Sequence, residues 1–406
     1  MERKWIKLLR RNFFCIFKPL VWFYVVVFQH VRFKKNNFKV PKGPVLFISN
    51  HLSNWDGIYL NCMFFWRIIR FIAHDELFRT KRFAWFSKNV LGQVCRAKSD
   101  ESISDVLEMK RLVKHGATLG LYPEGDIDMF GRTLPIAESV AKFARLMGIP
   151  VVLTKIQGAT IRAPRWARWA RHASITYSIT DVISVDELKN TSISDLHKRI
   201  ISGITVDDYV YQSKLMYKQF PTRRRAEWLE LGLFYCPNCK KFETLSTKGD
   251  ILFCTQCDFR AKFNRYSMLE TVDGRVLGEW DDIQKAALYN VIDNASDKTP
   301  IFCSENLDYY QVGKEEYFKD PISKCSLRLY KDRVEIDFLD KALPKVIYLD
   351  DIKKATLQYK DVLEIDYANF RLRFQTKERK WSAYMYATAI KYLLNKDKEK
   401  VLNKCI

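Results

Sequence analysis

The sequence predicts an α/β domain with a mixed, mostly parallel sheet, followed by a small metal-stapled β-ribbon and a compact α+β tail. Three observations lead there. Short apolar runs alternate with helical patterns from Phe38 to about Thr180. Two C-x-x-C pairs, Cys236/Cys239 and Cys254/Cys257, are separated by fourteen intervening residues. Near the C-terminus the pattern changes to alternating strands that end in one helical stretch.

The opening segment carries Arg3, Lys4, Lys7, Arg10 and Arg11, then an apolar run from Phe13 to Phe28, then Arg32, Lys34 and Lys35. Lys18 and Pro19 interrupt the run. Leu20 to Phe28 alone is too short to cross a bilayer, which takes about 20 apolar residues. Basic flanks with Trp5, Trp22 and Tyr24 predict a helix, or a bent pair, lying in the interface of an anionic leaflet. No small-residue cleavage site follows Phe28, so the segment does not read as a signal peptide.

Val45 to Ser49 reads as a buried strand, and Ile58 to Ile69 as a helix. Between them lies Asn50-His51-Leu52-Ser53-Asn54-Trp55-Asp56-Gly57. His51 then stands at the carboxyl end of a strand, where open α/β sheets place their chemistry. Asp56, in the first helical turn, can reach back across the bend to one imidazole nitrogen. The other nitrogen can then take a proton from a substrate hydroxyl, with no Ser or Cys nucleophile. The alternative is plain helix capping by Ser53 and Asp56, with His51 merely polar.

Further strands are predicted at Arg70–Ala73, Gln93–Arg96, Ala117–Tyr122, Pro150–Ile156 and Ser174–Ile179. Helices are predicted at Ser104–Lys114 and Ile136–Met147. Ala159 to Ser174 holds Arg162, Arg165, Arg168 and Arg171 with Trp166 and Trp169 between them. This reads as successive helical turns sharing a cationic face that suits a membrane or an acyl-phosphate group. Residues 195 to 233 read as largely helical.

With 406 residues, a hydrophobic fraction of 48% and a net charge of +21, the chain suits two or three domains and anionic partners. The ten cysteines do not form a secreted disulfide pattern. Four of them suit a tetrahedral, closed and therefore structural Zn²⁺ site: Cys236, Cys239, Cys254 and Cys257. Phe242 to Phe253 between the pairs reads as a hairpin turning at Gly249-Asp250. Reduced thiols place the chain on the cytosolic side of a membrane. Lys240, Lys241, Arg260 and Lys262 in the ribbon would permit nucleic acid. The ribbon reads instead as a folding staple or interaction module, and the Arg/Trp stretch carries no RRM or KH signature, so the reading is against nucleic acid.

Several clusters at strand ends share an order. His51 to Asp56 forms an H-x4-D block. Gly92 to Arg96 ends on a cation. Tyr122-Pro123-Glu124-Gly125 leaves a strand into a turn, and Ile149-Pro150 opens the next strand. Together they resemble the four blocks of the glycerolipid acyltransferase (PlsC-like, lysophosphatidic acid acyltransferase) family, over roughly residues 1 to 215. The chain is similar to bacterial members that carry a ribbon after the catalytic domain. The resemblance implies a membrane-associated O-acyltransferase. It would move an acyl chain from acyl-CoA or acyl carrier protein to the hydroxyl of a lysophospholipid such as lysophosphatidic acid. It implies His51 as base and Asp56 as its orienter, with Arg96, Glu124 and Gly125 seating the glycerol phosphate. Backbone N–H groups from Ser53 to Trp55 would meet the oxyanion. The third block departs from the family, continuing Asp126-Ile127-Asp128 where Thr-Arg or Asn-Arg is usual. Two carboxylates there would repel a phosphate, and Arg132 would have to fold back to substitute.

The expected organisation is a membrane-associated segment (1–37), the acyltransferase domain (38–215), a helical linker (216–232), the zinc ribbon (233–266) and a connecting segment (267–320). A tail (321–406) similar to pleckstrin-homology or GRAM-like modules follows. The expected location is the cytoplasmic face of the cell membrane, monotopic or peripheral. Two rival functions stand beside this one: a non-catalytic membrane or nucleic-acid adaptor on the same fold, and a thioesterase or hydrolase.

Overall fold

The computed structural model describes residues 4–74, 81–96, 103–219, 223–271, 273–313, 320–338, 345–377 and 381–404. The chain divides into two compact units. The first comprises Met1–Pro164 and Trp169–Phe220, the second Arg165–Arg168 and Pro221–Ile406.

The first unit opens with α1 (Lys4–Phe23), which runs on through a π-helical turn, Tyr24–Phe28. Pro19 does not divide it, so the expected short or bent segment is one rod. Leu8–Phe28 is long and apolar enough to cross a membrane by length and composition. The rod nevertheless turns two cations onto its own unit. Arg10 donates to the carbonyls of Asn89 (2.8 Å) and Val90 (3.3 Å), and Lys18 to those of Phe64 (3.2 Å) and Arg67 (2.6 Å). The first unit continues with β1 (Val31–Lys34), β2 (Leu46–Ser49), α2 (Asp56–Met63), β3 (Ile69–His74), α3 (Lys81–Phe86), β4 (Val94–Arg96), α4 (Ile103–Lys114) and β5 (Thr118–Leu121). Then come α5 (Ser139–Met147), β6 (Val151–Gln157), α6 (Ala159–Arg162), β7 (Ile175–Ile183), α7 (Val185–Asn190), α8 (Ile193–Ile204) and α9 (Asp208–Leu215).

Its seven strands are ordered β1-β7-β6-β2-β5-β3-β4. Every pairing is parallel except β6 with β7. Strand β2 sits mid-sheet, buried along its whole length. Its side chains alternate between the faces. Phe47 joins a core with Tyr59 and Leu60 of α2, whereas Leu46 and Ile48 join a second core with Met109, Ala141 and Ile200. Apolar cover on both faces accounts for the uninterrupted hydrophobic run from Val45 to Ile48.

Two boundaries differ from expectation. Val31–Lys34 lies inside the segment expected to be membrane-associated, yet it pairs with β7 as an edge strand. Its alternation of buried Val31, exposed Arg32, half-buried Phe33 and exposed Lys34 is that of a strand with one solvated face. Residues 195–233 are not continuously helical. α9 ends at Leu215, Met216 takes the left-handed conformation, and among the described residues up to 233 a single 3₁₀ turn, Leu229–Leu231, follows.

The second unit contains a four-stranded antiparallel sheet, β8 (Leu245–Lys248), β9 (Ile251–Cys254), β10 (Arg260–Phe263) and β11 (Leu269–Glu270), in the order β11-β10-β9-β8. The turn between β8 and β9 falls at Gly249 (φ 65°), as the hairpin pattern predicts. After α10 (Leu277–Asn294) come seven antiparallel strands: β12 (Phe302–Gly313), β13 (Ser323–Leu329), β14 (Arg333–Phe338), β15 (Lys345–Tyr348), β16 (Ile352–Gln358), β17 (Val362–Tyr367) and β18 (Phe370–Gln375). They are ordered β15-β14-β13-β12-β18-β17-β16 and followed by α11 (Ala383–Lys404). The presumed connecting segment, 267–320, thus supplies the central strand β12, which pairs with both β13 and β18.

Residues 165–168 belong to this second unit, and the expected cationic helix is absent from 163 to 174. Trp166 is fully buried, its ring edge-on to Phe263 at 5.6 Å. Arg165 donates to the carbonyls of Leu357 and Tyr359, both at 2.6 Å. A tryptophan and an arginine that the sequence offered to a membrane are used inside the fold. Trp169, by contrast, is largely exposed.

Candidate active site and four-cysteine centre

β2 stops at Ser49, and the chain leaves the sheet through Asn50. The Asn50 amide replaces the next rung of the ladder. Its Nδ2 donates to the Ile156 carbonyl (2.9 Å), and its Oδ1 accepts from the Ile156 N–H (2.8 Å). His51 follows directly, its side chain 22% exposed. Its backbone N–H donates to Glu124 Oε1 (2.7 Å), while Glu124 Oε2 accepts from the Leu134 N–H (2.7 Å). One carboxylate thus joins the His51 loop to the loop that follows β5. Burial pushes the Glu124 carboxyl up to about 8 against the pull of those two N–H groups.

Asp56 opens α2 and is fully buried. Oδ2 meets His51 Nδ1 at 3.0 Å and accepts from the N–H groups of Leu52 (2.6 Å) and Ser53 (2.9 Å). Oδ1 accepts from Ser53 Oγ (2.5 Å), which itself accepts from the Trp55 N–H (3.3 Å). The Ser53–Asp56 bonds and the Asp56–His51 contact coexist in one arrangement, but Ser53 is not the N-cap of α2: Trp55 holds that position, with no side-chain cap bond. With the carboxylate accepting, Nδ1 carries the hydrogen and Nε2 is the basic nitrogen. The N–H groups of Ser53 and Trp55 are engaged by side chains, so they do not form the oxyanion site expected of them.

The imidazole also rests on an aromatic stack. Tyr122 lies under it at 4.5 Å and 17°, and Phe71 lies under Tyr122 at 5.3 Å and 4°. A Cβ at Gly120 would overlap the Phe71 ring, so this position must remain glycine for the stack to form. None of this was visible as a sequence motif. The aromatic before Pro123 and the glycine two residues earlier were its available signals.

The remaining site residues fall unevenly. Gly125 sits at φ 69°, a turn conformation natural to glycine. Asp126 Oδ1 accepts from the Ile127 N–H (2.8 Å), and Asp128 Oδ1 from those of Phe130 (2.9 Å) and Arg132 (3.1 Å). These carboxylate oxygens fold the loop on itself, and the Glu124–Leu134 bond closes it. Arg132 lies between these two contacts, its N–H taken by Asp128 Oδ1 and its backbone bridged to Asp207. Arg96 ends β4, and its side chain lies outside the described residues.

In the second unit, the Tyr235–Phe242 bridge and the β8–β9 hairpin bring the two C-x-x-C knuckles together. The sulfurs of Cys236, Cys239, Cys254 and Cys257 all lie within 4.8 Å of one another. Cys236 and Cys257 are 3.7 Å apart, as are Cys239 and Cys254. A zinc–thiolate distance of about 2.3 Å implies tetrahedral edges of about 3.8 Å, so the four thiolates fit a metal ion of that size. The Gln256 N–H lies 3.3 Å from Cys254 Sγ, and Asn238 Nδ2 lies 3.5 Å from Cys257 Sγ. Such donors suit thiolate charge.

Residues 30–155, which hold His51, Asp56, Tyr122 and Glu124, match the family model described as Acyltransferase. This segment is an acyltransferase domain. Among solved structures, the chain is similar to the 1-acyl-sn-glycerophosphate (LPA) acyltransferase PlsC from Thermotoga maritima. That match has 20% identity and a TM-score of 0.38, covering 48% of this chain and 75% of that one. It is also similar to two human pleckstrin-homology domains. The N-terminal domain of ARAP2 is 13% identical, with a TM-score of 0.20, 26% of this chain covered and 85% of that one. The C-terminal domain of FGD3 is 10% identical, with a TM-score of 0.18, 25% of this chain covered and 92% of that one. No curated protein matches the chain significantly. The acyltransferase domain continues structurally beyond the matched segment, since β7 supplies the strand between β1 and β6.

Proposed function

We propose that the acyltransferase domain esterifies a lysophospholipid, such as lysophosphatidic acid, from acyl-CoA or acyl carrier protein. The observation that carries this reading is the His51–Asp56 pair. Nδ1 is held at 3.0 Å by a buried carboxylate, and no hydrogen bond reaches Nε2 among the described residues. The acceptor hydroxyl gives its proton to Nε2 as its oxygen attacks the thioester carbonyl. The C–S bond then breaks, and the leaving thiolate takes the proton back from the imidazolium. Asp56 steadies the imidazolium between these events. Holding both substrates beside His51 removes a large entropic part of the barrier, with no acyl-enzyme required. Arg96, Arg132 and the turn at Gly125 would meet the acceptor's phosphate, with Glu124 holding His51 and the 124–134 loop in register.

The site works at the cytoplasmic surface of a membrane. α1 exposes Trp5, Leu8, Ile16, Leu20 and Phe23 on one side, and Val27 continues that face. Arg10 and Lys18 hold the other side to the acyltransferase domain, which supports a rod lying in the interface over one crossing the bilayer. Exposed Arg11, Arg32, Lys34 and Lys35 suit anionic headgroups. The four cysteines would hold a structural Zn²⁺ that braces the ribbon.

The test is acyl transfer to a panel of lysolipids, read by mass, with wild type and His51→Ala. Product formed by wild type and lost in the variant is expected. Equal turnover by both sinks the mechanism. Free fatty acid in place of acylated lipid indicates a hydrolase, and no turnover with salt-sensitive binding to nucleic acid indicates an adaptor.

A further inference from the structure

The end of the N-terminal rod and the His51 loop are joined by side chains that the mechanism above does not use. Tyr24, in the π-helical turn, is 43% exposed, and Phe28 stacks on it at 5.8 Å while 58% exposed. On its other contact, Tyr24 meets the Trp55 ring at 6.0 Å, and Trp55 in turn stacks on Tyr59 at 6.2 Å. The Tyr59 hydroxyl donates to Oε1 of buried Gln29 (2.5 Å), whose backbone N–H closes the π turn on the Tyr24 carbonyl (3.2 Å). Two links therefore tie one turn of the rod to the start of α2.

Trp55 immediately precedes Asp56. Its N–H donates to Ser53 Oγ, which donates to Asp56 Oδ1, and Asp56 orients His51. A displacement of Trp55 and its backbone is thus passed through three hydrogen bonds to the base. In water the outer faces of Tyr24 and Phe28 are partly hydrated. Against a bilayer those rings lose contact with water, and the conformer that presents them outward is selected. π-helical turns are uncommon and concentrate at functional sites, which fits a segment with two accessible arrangements.

We infer that the acyltransferase site is interfacially activated. Seating of Tyr24 and Phe28 on an anionic bilayer orders Trp55 and aligns Asp56 with His51, so the enzyme prefers an acceptor embedded in a membrane to the same molecule dissolved in water. The occupant is a lipid surface rather than a protein. The chain carries a net charge of +21, and exposed Arg11, Arg32, Lys34 and Lys35 flank the apolar face. The rate readout rests on the acyl-transfer reading, so the experiment includes a second readout that needs no turnover.

The full chain is given long-chain acyl-CoA and short-chain lysophosphatidic acid. The acceptor is presented as monomers below its micelle concentration, or in vesicles of phosphatidylglycerol and phosphatidylcholine. Hydrogen exchange of the backbone amides of residues 52–59 is followed with and without vesicles. Wild type should transfer about tenfold or more faster from vesicles, a coupling of ordinary allosteric size. Its 52–59 amides should gain protection on binding. The double variant Tyr24→Leu, Gln29→Leu keeps apolar bulk and should still sediment with vesicles. Its rate ratio should fall to about one, a loss of the whole coupling, and its amides should show no gain. Tyr24→Phe keeps the ring and should behave as wild type, which controls for misfolding. The inference is overturned if wild type fails to sediment with vesicles, if its amides do not respond, or if the double variant responds as wild type does. Protection gained with no acyl transfer by any form upholds the coupling and overturns the acyl-transfer reading instead.

Discussion

Replacing Asp56 with asparagine separates the charge of this residue from its geometry. The carboxylate collects four donors, with Oδ2 taking His51 Nδ1 and the N–H groups of Leu52 and Ser53, and Oδ1 taking Ser53 Oγ. An asparagine whose carbonyl oxygen occupies the Oδ2 position keeps three of them. Its amide nitrogen then faces Ser53 Oγ, which can turn and accept. The loop should hold its shape, and Asp56→Asn should melt near wild type. What disappears is a unit charge beside the imidazolium. Two unit charges about 4 Å apart interact by about 4 kcal/mol at an effective dielectric of about 20. Withdrawn from the transition state, that energy lowers kcat/KM about a thousandfold. KM for the acceptor should change little, because Asp56 is fully buried. Asp56→Ala is a different perturbation. It strands the Leu52 and Ser53 N–H groups at about 1–3 kcal/mol each and should lower the melting temperature as well. The assay is steady-state acyl transfer to a lysolipid with melting followed by circular dichroism. A folded Asp56→Asn enzyme within about tenfold of wild type would refute the orienting role.

Gly120→Ala should push Phe71 out from under Tyr122, lowering stability by about 1–3 kcal/mol and slowing acyl transfer, whereas alanine at exposed Gly125 should do less to the stack; melting and kcat together check this. Burial raises the Glu124 carboxyl from 4.5 to about 8, so the folded state holds its proton more tightly than the unfolded chain does. Its favourable contribution is complete below about 4.5 and is lost as pH rises toward 8, so the melting temperature of wild type relative to Glu124→Gln should fall across that window. A strong chelator should strip the Cys236, Cys239, Cys254 and Cys257 centre and loosen the ribbon hairpin, with zinc appearing in the metal analysis of untreated protein. Zinc-free protein that melts identically with and without chelator would dismiss that site.

What could be read in advance depended on whether the relevant interaction is local in sequence. His51 and Asp56 were legible because their spacing spans one bend. The four cysteines were legible because thiolate ligands come in fixed local pairs. β2 was legible because burial on both faces leaves an unbroken apolar run, and β5 and β6 because their buried residues are mostly apolar. β1 was hidden because Arg32 and Lys34, solvent-facing residues of an edge strand, look like the basic flank of the preceding helix. Pro19 suggested a break that the rod does not make. Trp166 reads locally as a membrane or acyl-phosphate contact because nothing nearby in sequence reveals its packing on Phe263, nearly a hundred residues later. Glu124 shows the same limit within the site. Its type and turn were evident, but a carboxylate that accepts from the N–H groups of His51 and Leu134 cannot be told from one that faces a substrate until the chain is folded.

The double bond from Asn50 to Ile156 has a consequence for where wear and error can enter the site. Because an amide side chain stands in for peptide groups there, β6 ends with its donor and acceptor at Ile156 both satisfied, and no slack develops between sheet and loop. The loop that carries the base is therefore anchored to the sheet at its upstream end, one residue before His51. Deamidation to aspartate at this one position would set a carboxylate against the Ile156 carbonyl. An ageing reaction of a single side chain could thereby retire the enzyme while leaving every group that touches substrate chemically intact.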